Sequence, residues 1–339
     1  MSVTIKDIAN ETGLSWPTVS RILNGKGHLF KTETRDRVIK KANEMGYIPN
    51  SAARGIRTNQ TYHVGALLLN DPRHPLHYPA SFEILQGINL SLEQAGYVLS
   101  LIRIQDLPKD DHVQSRVFRE KMLDGIICLD ALPENLVQHV RKLIPRCIWL
   151  DANHQEPYFC VYRDEEIVGE IAATQMIKLG YQHIKFMTSD PKPSDFEPHF
   201  STSSRWHGIQ NTCMKMKVKV SLVHMPNWTQ PSSPRTMEDL WKEPAGLIMN
   251  GPHDAVRLMQ FAHQQNLPVG HHIGIASCDM TEDFRLASPG LSHVTNNRFV
   301  LGQQAGTMML ELLANRKSKC PTITTSGQWF AGNTAMGTK

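Results

Sequence analysis

Thr4-Ile5-Lys6-Asp7-Ile8-Ala9, followed after Gly13-Leu14-Ser15 by Trp16-Pro17-Thr18-Val19-Ser20-Arg21-Ile22-Leu23, is the stretch that decides how the chain begins to fold. Thr4 stands three residues before Asp7, the spacing at which a hydroxyl and a carboxylate meet the unpaired amides of a starting helix. A first helix of about eight residues follows. Gly13 supplies a position that tolerates positive φ, and Ser15 caps a second helix running from about Trp16 to Leu23. Pro17 disfavours helical geometry at Trp16, which allows a start one residue later. Ile5, Ile8, Ala9, Leu14, Val19, Ile22 and Leu23 form one small core, leaving Trp16, Pro17, Thr18, Ser20 and Arg21 on or near the outer face. A third helix is signalled by Thr32 as cap, Glu33 in the first turn and the spacing Val38, Ala42, Met45, ended by Gly46. Three short helices in about 46 residues make a helix-turn-helix head.

Charge supports that reading. The whole chain of 339 residues carries a net charge of only +4, yet residues 1–60 hold ten Lys/Arg against five Asp/Glu, and the remainder holds 26 against 27. A basic head on a neutral body suggests nucleic-acid binding; a merely solvated basic surface is the alternative from charge alone. At 40% hydrophobic and 20% charged residues the chain has the balance of a globular protein. No apolar run is long enough for a membrane helix, and the first residues lack the pattern of a secretion signal, so a cytoplasmic protein is expected. The six cysteines form no C-x-x-C pair and sit among apolar neighbours, as buried thiols of a reducing compartment do.

Thr4-Ile5-Lys6-Asp7-Ile8-Ala9, Thr18-Val19-Ser20-Arg21-Ile22-Leu23-Asn24-Gly25, Thr34-Arg35 and Gly46-Tyr47-Ile48-Pro49-Asn50 together closely resemble the head of LacI/GalR-family transcription regulators. The resemblance implies that the second helix enters the DNA major groove with Trp16, Pro17 and Arg21 at base-reading positions, while Thr18, Ser20, Asn24 and Tyr47 contact phosphates. Pro17 has neither an amide hydrogen nor a polar side chain, so it discriminates only by apolar contact, for instance with a thymine methyl. The loop of residues 25–33 is one residue longer than the family pattern. Residues 50–58 (Asn50, Ser51, Ala52, Ala53, Arg54, Gly55, Ile56, Arg57, Thr58) resemble the family's hinge helix, which implies DNA contacts for Asn50, Ala53, Ile56 and Arg57. Such a segment is too short to be a stable isolated helix and is expected to fold when two copies pair over DNA, with Ile56 wedged in the minor groove. A plain interdomain linker is the other reading.

From residue 62 onward, short apolar runs alternate with helical patterns, the signature of a parallel sheet covered by helices. Strands are expected at 62–69, 97–103, 125–130, 147–151, 184–189, 218–224, 246–250 and 273–279, with helices at 80–95, 134–143, 165–179, 204–216, 254–265 and 299–314. About eight strands over some 260 residues favour two doubly wound subdomains with a cleft between them. The family resemblance continues here and implies a periplasmic-binding-protein-like core with three crossovers, near residues 161, 290 and 321. The expected organisation is α/β: a helix-turn-helix domain at 1–49, a hinge helix and linker at 50–60, and an effector and dimerisation core at 61–339. Its N-subdomain is about 61–161 plus 291–321, and its C-subdomain about 162–290 plus 322–339.

Ligands of open α/β sheets bind outside the carboxyl ends of strands. Asp279 ends one run and Asn250 another, while Arg205 lies in Thr202-Ser203-Ser204-Arg205-Trp206-His207-Gly208, and each matches a family effector position. The carboxylate accepts from hydroxyls, the guanidinium donates a planar fork, and the amide does both, a set suited to a hydroxyl-rich ligand. Trp228 falls where some sugar-responsive members present an aromatic face; a lone tryptophan in a Pro-rich loop equally serves to cover a core. Asn70 and Asp71 begin the opposite wall, in a proline-stiffened stretch that departs from the family pattern. Asn250-Gly251 and Asn296-Asn297 also depart from family pairs. His74 with His77, and His271 with His272, lack the partners a metal site needs, and no cofactor is expected. Nucleophile-elbow and P-loop patterns are absent, which speaks against an enzyme.

The resulting expectation is a homodimeric DNA-binding repressor of carbohydrate-utilisation genes. Its partners are a near-palindromic double-stranded operator and a small sugar-like effector in the cleft, with no membrane association. A nucleobase or nucleoside effector is the alternative within the class. A solute-binding protein, the rival outside it, would lack the basic head. Residues 327–339 contain no leucine heptad, so a coiled-coil tetramer is not expected.

Overall fold

The computed structural model describes residues 3–49, 55, 58–69, 78–104, 120–188, 199–225, 237–288, 290–315 and 317–338. Asn50, Ala53, Ile56 and Arg57 of the expected hinge, and Asn70, Asp71 and Trp228 of the expected effector wall, lie outside the described residues. The chain divides into two units, Met1–Thr61 and Tyr62–Lys339.

In the first unit, helix α1 (Ile5–Thr12) opens on a reciprocal cap. The Asp7 amide donates to Thr4 Oγ1 at 3.4 Å and the Thr4 amide donates to Asp7 Oδ2 at 2.8 Å. Gly13, at φ 65, reverses the chain, as expected of the residue that closes a helix. Helix α2 (Trp16–Arg21) starts at Trp16 rather than one residue later, because Pro17 falls in the first turn, where no amide hydrogen is needed. Its regular part ends at Arg21 instead of Leu23: the chain loosens over Ile22–Lys26, and Gly25 takes φ 83. Helix α3 (Thr32–Glu44) differs from expectation at its start. Thr32 is its first helical residue, and the extended residue before it is Lys31, which makes no side-chain cap bond. Ile8, Ala9, Val19, Ile22, Val38 and Ala42 form the buried core, with Ile5, Leu14, Leu23 and Met45 packed around it.

The second unit contains two six-stranded sheets. Sheet one uses β1 (His63–Leu69), β2 (Val98–Ile104), β3 (Gly125–Asp130), β4 (Cys147–Ala152), β5 (Cys160–Arg163) and β11 (Ile323–Thr325), in the spatial order β11-β5-β4-β3-β1-β2. Sheet two uses β6 (His183–Thr188), β7 (Lys219–His224), β8 (Ala245–Met249), β9 (Ile273–Ser277), β10 (Ser292–Thr295) and β12 (Gln328–Phe330), in the order β12-β10-β9-β8-β6-β7. All pairings are parallel except β10 with β12. The chain passes from sheet one to sheet two after β5, returns after β10 and crosses again between β11 and β12.

Central strands such as β4, β8 and β9 are buried along their whole length, as expected of sheets covered on both faces. Helices α4 (Tyr78–Gln94), α5 (Glu134–Leu143) and α10 (Arg298–Ala314) accompany sheet one. Helices α6 (Glu165–Lys178), α7 (Phe200–Met216), α8 (Pro252–Gln264) and the short α9 (Glu282–Ala287) accompany sheet two. All six cysteines are buried free thiols. No described helix is long and apolar enough to cross a membrane.

Candidate functional site

The site grows from one close helix contact. A Cβ built on Gly169 of α6 would lie 2.2 Å from the carbonyl oxygen of Arg205, and one on Gly208 of α7 would lie 2.0 Å from that of Glu166. The two glycines therefore let the backbones touch, and this sets the start of α6 beside the second turn of α7. Glu165 and Arg205 meet there as a two-pronged pair: Arg205 Nε donates to Glu165 Oε2 at 2.7 Å and Nη2 donates to Oε1 at 2.9 Å. Arg205 Nη1 donates to the carbonyl oxygen of Asn250 at 2.6 Å and to its Oδ1 at 3.1 Å. The Asn250 amide donates in turn to Thr202 Oγ1 at 2.9 Å.

Asp279, beyond the end of β9, is the centre of a larger cluster. Its Oδ2 receives Arg298 Nη2 and Arg163 Nη1, the latter at 3.3 Å, and lies 3.6 Å from Arg205 Nη2. Arg163 ends β5 of sheet one, so the chain leaves that sheet after residue 163 rather than near the expected 161, and Arg298 opens α10, which packs on the same sheet; Asp279, Glu165 and Arg205 stand on elements of sheet two. Arg163 also reaches Glu165 Oε1 at 2.9 Å and donates from Nε and Nη2 to Asp151 Oδ2 at 2.9 and 2.6 Å. Arg163, Arg205 and Arg298 are each 5% exposed or less, so a six-residue ion network joins elements of the two sheets with little access to water.

Nearby contacts reinforce it: His199 Nε2 lies 2.8 Å from the carbonyl oxygen of Asp151, the Phe200 amide donates to Asn153 Oδ1 at 2.9 Å, and the Glu282 amide donates to Glu83 Oε1 at 3.1 Å. Asp151 itself takes φ 49, a left-handed conformation uncommon outside glycine.

Burial alone would raise the carboxyl of Asp279, but Arg298, Arg163 and Arg205 outweigh it and hold that group far below the usual carboxylate range. Asp151 is lowered for the same reason: burial is opposed by Arg163 and by His199. Arg163 is raised well above the ordinary guanidinium value, because Asp151, Glu165 and Asp279 overcome the cost of its burial. Asp279, Asp151 and Arg163 are thus held in their charged forms. Cys278, next to Asp279, is pushed up to about 12 by burial, so it is a packed thiol rather than a nucleophile.

Among the expected effector residues, Arg205, Asn250 and Asp279 come together. Sequence reasoning missed Arg163, Arg298, Glu165, Asp151 and His199. Their signal was visible in part: Asp151 and Arg163 end apolar runs, and Arg298 follows an expected crossover.

In the head, Trp16 (48% exposed), Pro17, Arg21 and Asn24 lie on the outer side of α2 and its continuation. Ser20 does not share that face. It is 4% exposed and its backbone carbonyl and hydroxyl accept from Asn24 Nδ2, because position 20 follows Val19 on the side turned to the core. Thr18 is half-buried and shares a 2.9 Å hydroxyl contact with Ser15, while Tyr47 packs partly on the head core. Among the described residues no group of three or more His, Cys, Asp or Glu side chains could hold a metal ion.

A capped helix-turn-helix head followed by a core of two parallel-sheet subdomains defines a DNA-binding regulator with a periplasmic-binding-protein-like core, not an enzyme. The family model described as bacterial regulatory proteins, lacI family, matches residues 4–50, and the periplasmic binding protein-like domain matches residues 173–334. The head of the chain is therefore that of the LacI family of bacterial transcriptional regulators. The whole chain is 22% identical over 333 residues to the HTH-type transcriptional repressor PurR of Edwardsiella ictaluri (strain 93-146), covering 94% of this chain and 93% of that one. Its fold is similar to that of the lac repressor dimer bound to operator and the anti-inducer ONPF, with a TM-score of 0.75, 22% identity and coverage of 98% and 99%. It is also similar to the transcriptional regulator CelR in complex with cellobiose, with a TM-score of 0.64, 14% identity and coverage of 98% and 99%.

Proposed function

We propose that the protein is a dimeric repressor that binds a near-palindromic operator through Trp16, Pro17 and Arg21 and is controlled by a small, hydroxylated, sugar-like effector in the cleft between its core subdomains. The observation that carries the reading is the cross-cleft cluster around Asp279. It sits past the carboxyl end of β9, where open α/β sheets take ligands, and its partners come from both subdomains. A ligand that replaces contacts there changes how the subdomains are held, and it shifts operator affinity only by binding the two arrangements unequally. Among the similar folds, one structure holds operator and an anti-inducer and another holds cellobiose, which supports the same division of labour here. The expected target genes are those of carbohydrate use.

A thermal-shift panel of neutral sugars, sugar acids, sugar phosphates and nucleosides tests it, since a ligand bound only by the native state raises the melting temperature. A hit among the sugars or sugar derivatives that also changes operator affinity supports the reading. A hit confined to nucleosides replaces the effector class, and a panel without any hit overturns the sugar assignment.

A further inference from the structure

The two walls of the cleft are not equal in charge. On the C-subdomain side, Arg205 holds Glu165 with two nitrogens and Asn250 with a third, so it is satisfied within its own wall. On the N-subdomain side, Arg163 has Asp151, which takes both its Nε and Nη2. Arg298 differs. Its ion-pair partner is Asp279 and its second contact is the carbonyl oxygen of Met280 at 3.1 Å, both across the cleft.

Arg298 is 3% exposed and occupies the first position of α10, a helix of 17 residues capped by Asn297, whose Oδ1 accepts from the Val300 amide at 3.0 Å. A helix start is the electropositive end, where a cation is disfavoured and an anion welcome. Two residues before it, Asn296 is 6% exposed and neither atom of its side-chain amide has a hydrogen-bond partner. Arg298 is thus a buried cation at the wrong end of a helix, two residues past an unanswered amide. Asp279 Oδ2 is the anion that now neutralises it, and Arg163 Nη1 converges on the same oxygen.

We propose that the cleft selects a small hydroxylated acid, a sugar acid in chemical class, whose carboxylate takes the place of Asp279 Oδ2 between Arg298 and Arg163. The inference rests on the reading of this cleft as the effector site. Asp279 then keeps Arg205 beside it and accepts hydrogen bonds from the ligand's hydroxyls. A neutral sugar at the same place draws Asp279 away from Arg298 and gives no charged oxygen in return, so the guanidinium loses its direct ion pair with Asp279. A carboxylate replaces the anion it displaces, and its two oxygens match the guanidinium fork.

Isothermal titration calorimetry of the full chain against matched pairs tests this: gluconate with glucitol, glucuronate with glucose, and galacturonate with galactose. The expected result is that at least one acid binds about tenfold or more tightly than its neutral counterpart, the difference a charge-assisted contact supplies. Arg298→Gln should abolish that preference and Arg298→Lys should restore part of it. Equal or tighter binding of the neutral partner, or a preference untouched by Arg298→Gln, overturns the acid inference while leaving a sugar effector in place. Failure of every acid and every neutral sugar to bind overturns both readings. Should Arg298→Gln not fold, the matched pairs on the unaltered protein decide alone.

Discussion

The DNA-reading head and the cleft cluster use charged side chains in opposite ways. In the head, Arg21 is exposed at the end of a short helix, and the local polar bonds close between neighbours, as Thr4 does with Asp7 three residues away. In the cleft, the guanidiniums are buried and their partners are remote: 116 residues separate Arg163 from Asp279, and 40 separate Glu165 from Arg205. Exposed charges add little to stability, so they are available to a partner molecule. Buried charges must be satisfied by the fold, so changing one disturbs the protein before any ligand arrives.

The sharpest way to break this comparison is Asp279→Ala. It leaves three buried guanidiniums gathered around an empty place, and removing one partner of a buried ion network costs about 3–5 kcal/mol. Urea denaturation should show a loss of that order in the transition of the core, read from the buried Trp149 and Trp241. A loss below about 1 kcal/mol would mean that the network contributes no more than a surface pair. The sequence alone presented Asp279 only as a ligand contact, and from that view Asp279→Ala should merely silence the effector response. Its structural weight comes from Arg163 and Arg298, which no local spacing connects to it.

Acid titration sharpens the same point. Asp279 and Asp151 have folded values below their unfolded ones, so their stabilisation is complete above the ordinary carboxylate value of about 3.9 and is lost as the pH falls below it towards the folded values. Each such carboxylate contributes a slope of up to about 1.4 kcal/mol per pH unit in that window. The expected outcome is a core whose stability to urea drops steeply between about pH 4 and pH 2, and Asp279→Asn should flatten the drop. An unchanged slope in that variant would separate Asp279 from the acid response.

Gly208→Ala probes the packing beneath the cluster rather than its charge. The new methyl would lie 2.0 Å from the Glu166 carbonyl oxygen, in backbone that cannot yield without parting α6 from α7, so a loss of about 1–3 kcal/mol is expected. Arg205 and Glu165 should then lose their alignment, and effector affinity should fall together with stability. In the sequence Gly208 stands only as the last residue of the stretch that holds Arg205. Its physical task, letting two helices touch at Gly169, depends on a partner 39 residues away.

This is the limit of what the sequence made legible. Caps, turns and apolar periodicity act within a few residues, so α1, the reversal at Gly13, the eight strand runs and the paired-subdomain architecture could all be read. Ser20 was misplaced because one step around a helix turns a side chain from solvent to core. The cluster's N-subdomain members escaped because their partners are supplied by topology: the crossover after β5 places Arg163, and the return after β10 places Arg298, opposite the end of β9.

The smallest expected change in stability belongs to Arg21→Ala, and it is the other half of the comparison. Arg21 closes α2 on the exposed side, where its removal uncovers no buried charge and opens no cavity, so urea stability should stay within about 0.5 kcal/mol of the parent. Operator binding should respond quite differently. A guanidinium that reads a guanine through two hydrogen bonds is worth about 1–3 kcal/mol of discrimination, so the variant should lose specific binding while retaining much of its salt-dependent attachment to unrelated DNA. Fluorescence anisotropy with specific and scrambled duplexes at two salt concentrations separates these contributions. Equal losses on both duplexes would make Arg21 a phosphate contact and move base reading to Trp16 and Pro17. An unchanged specific affinity would remove α2 from the major groove altogether.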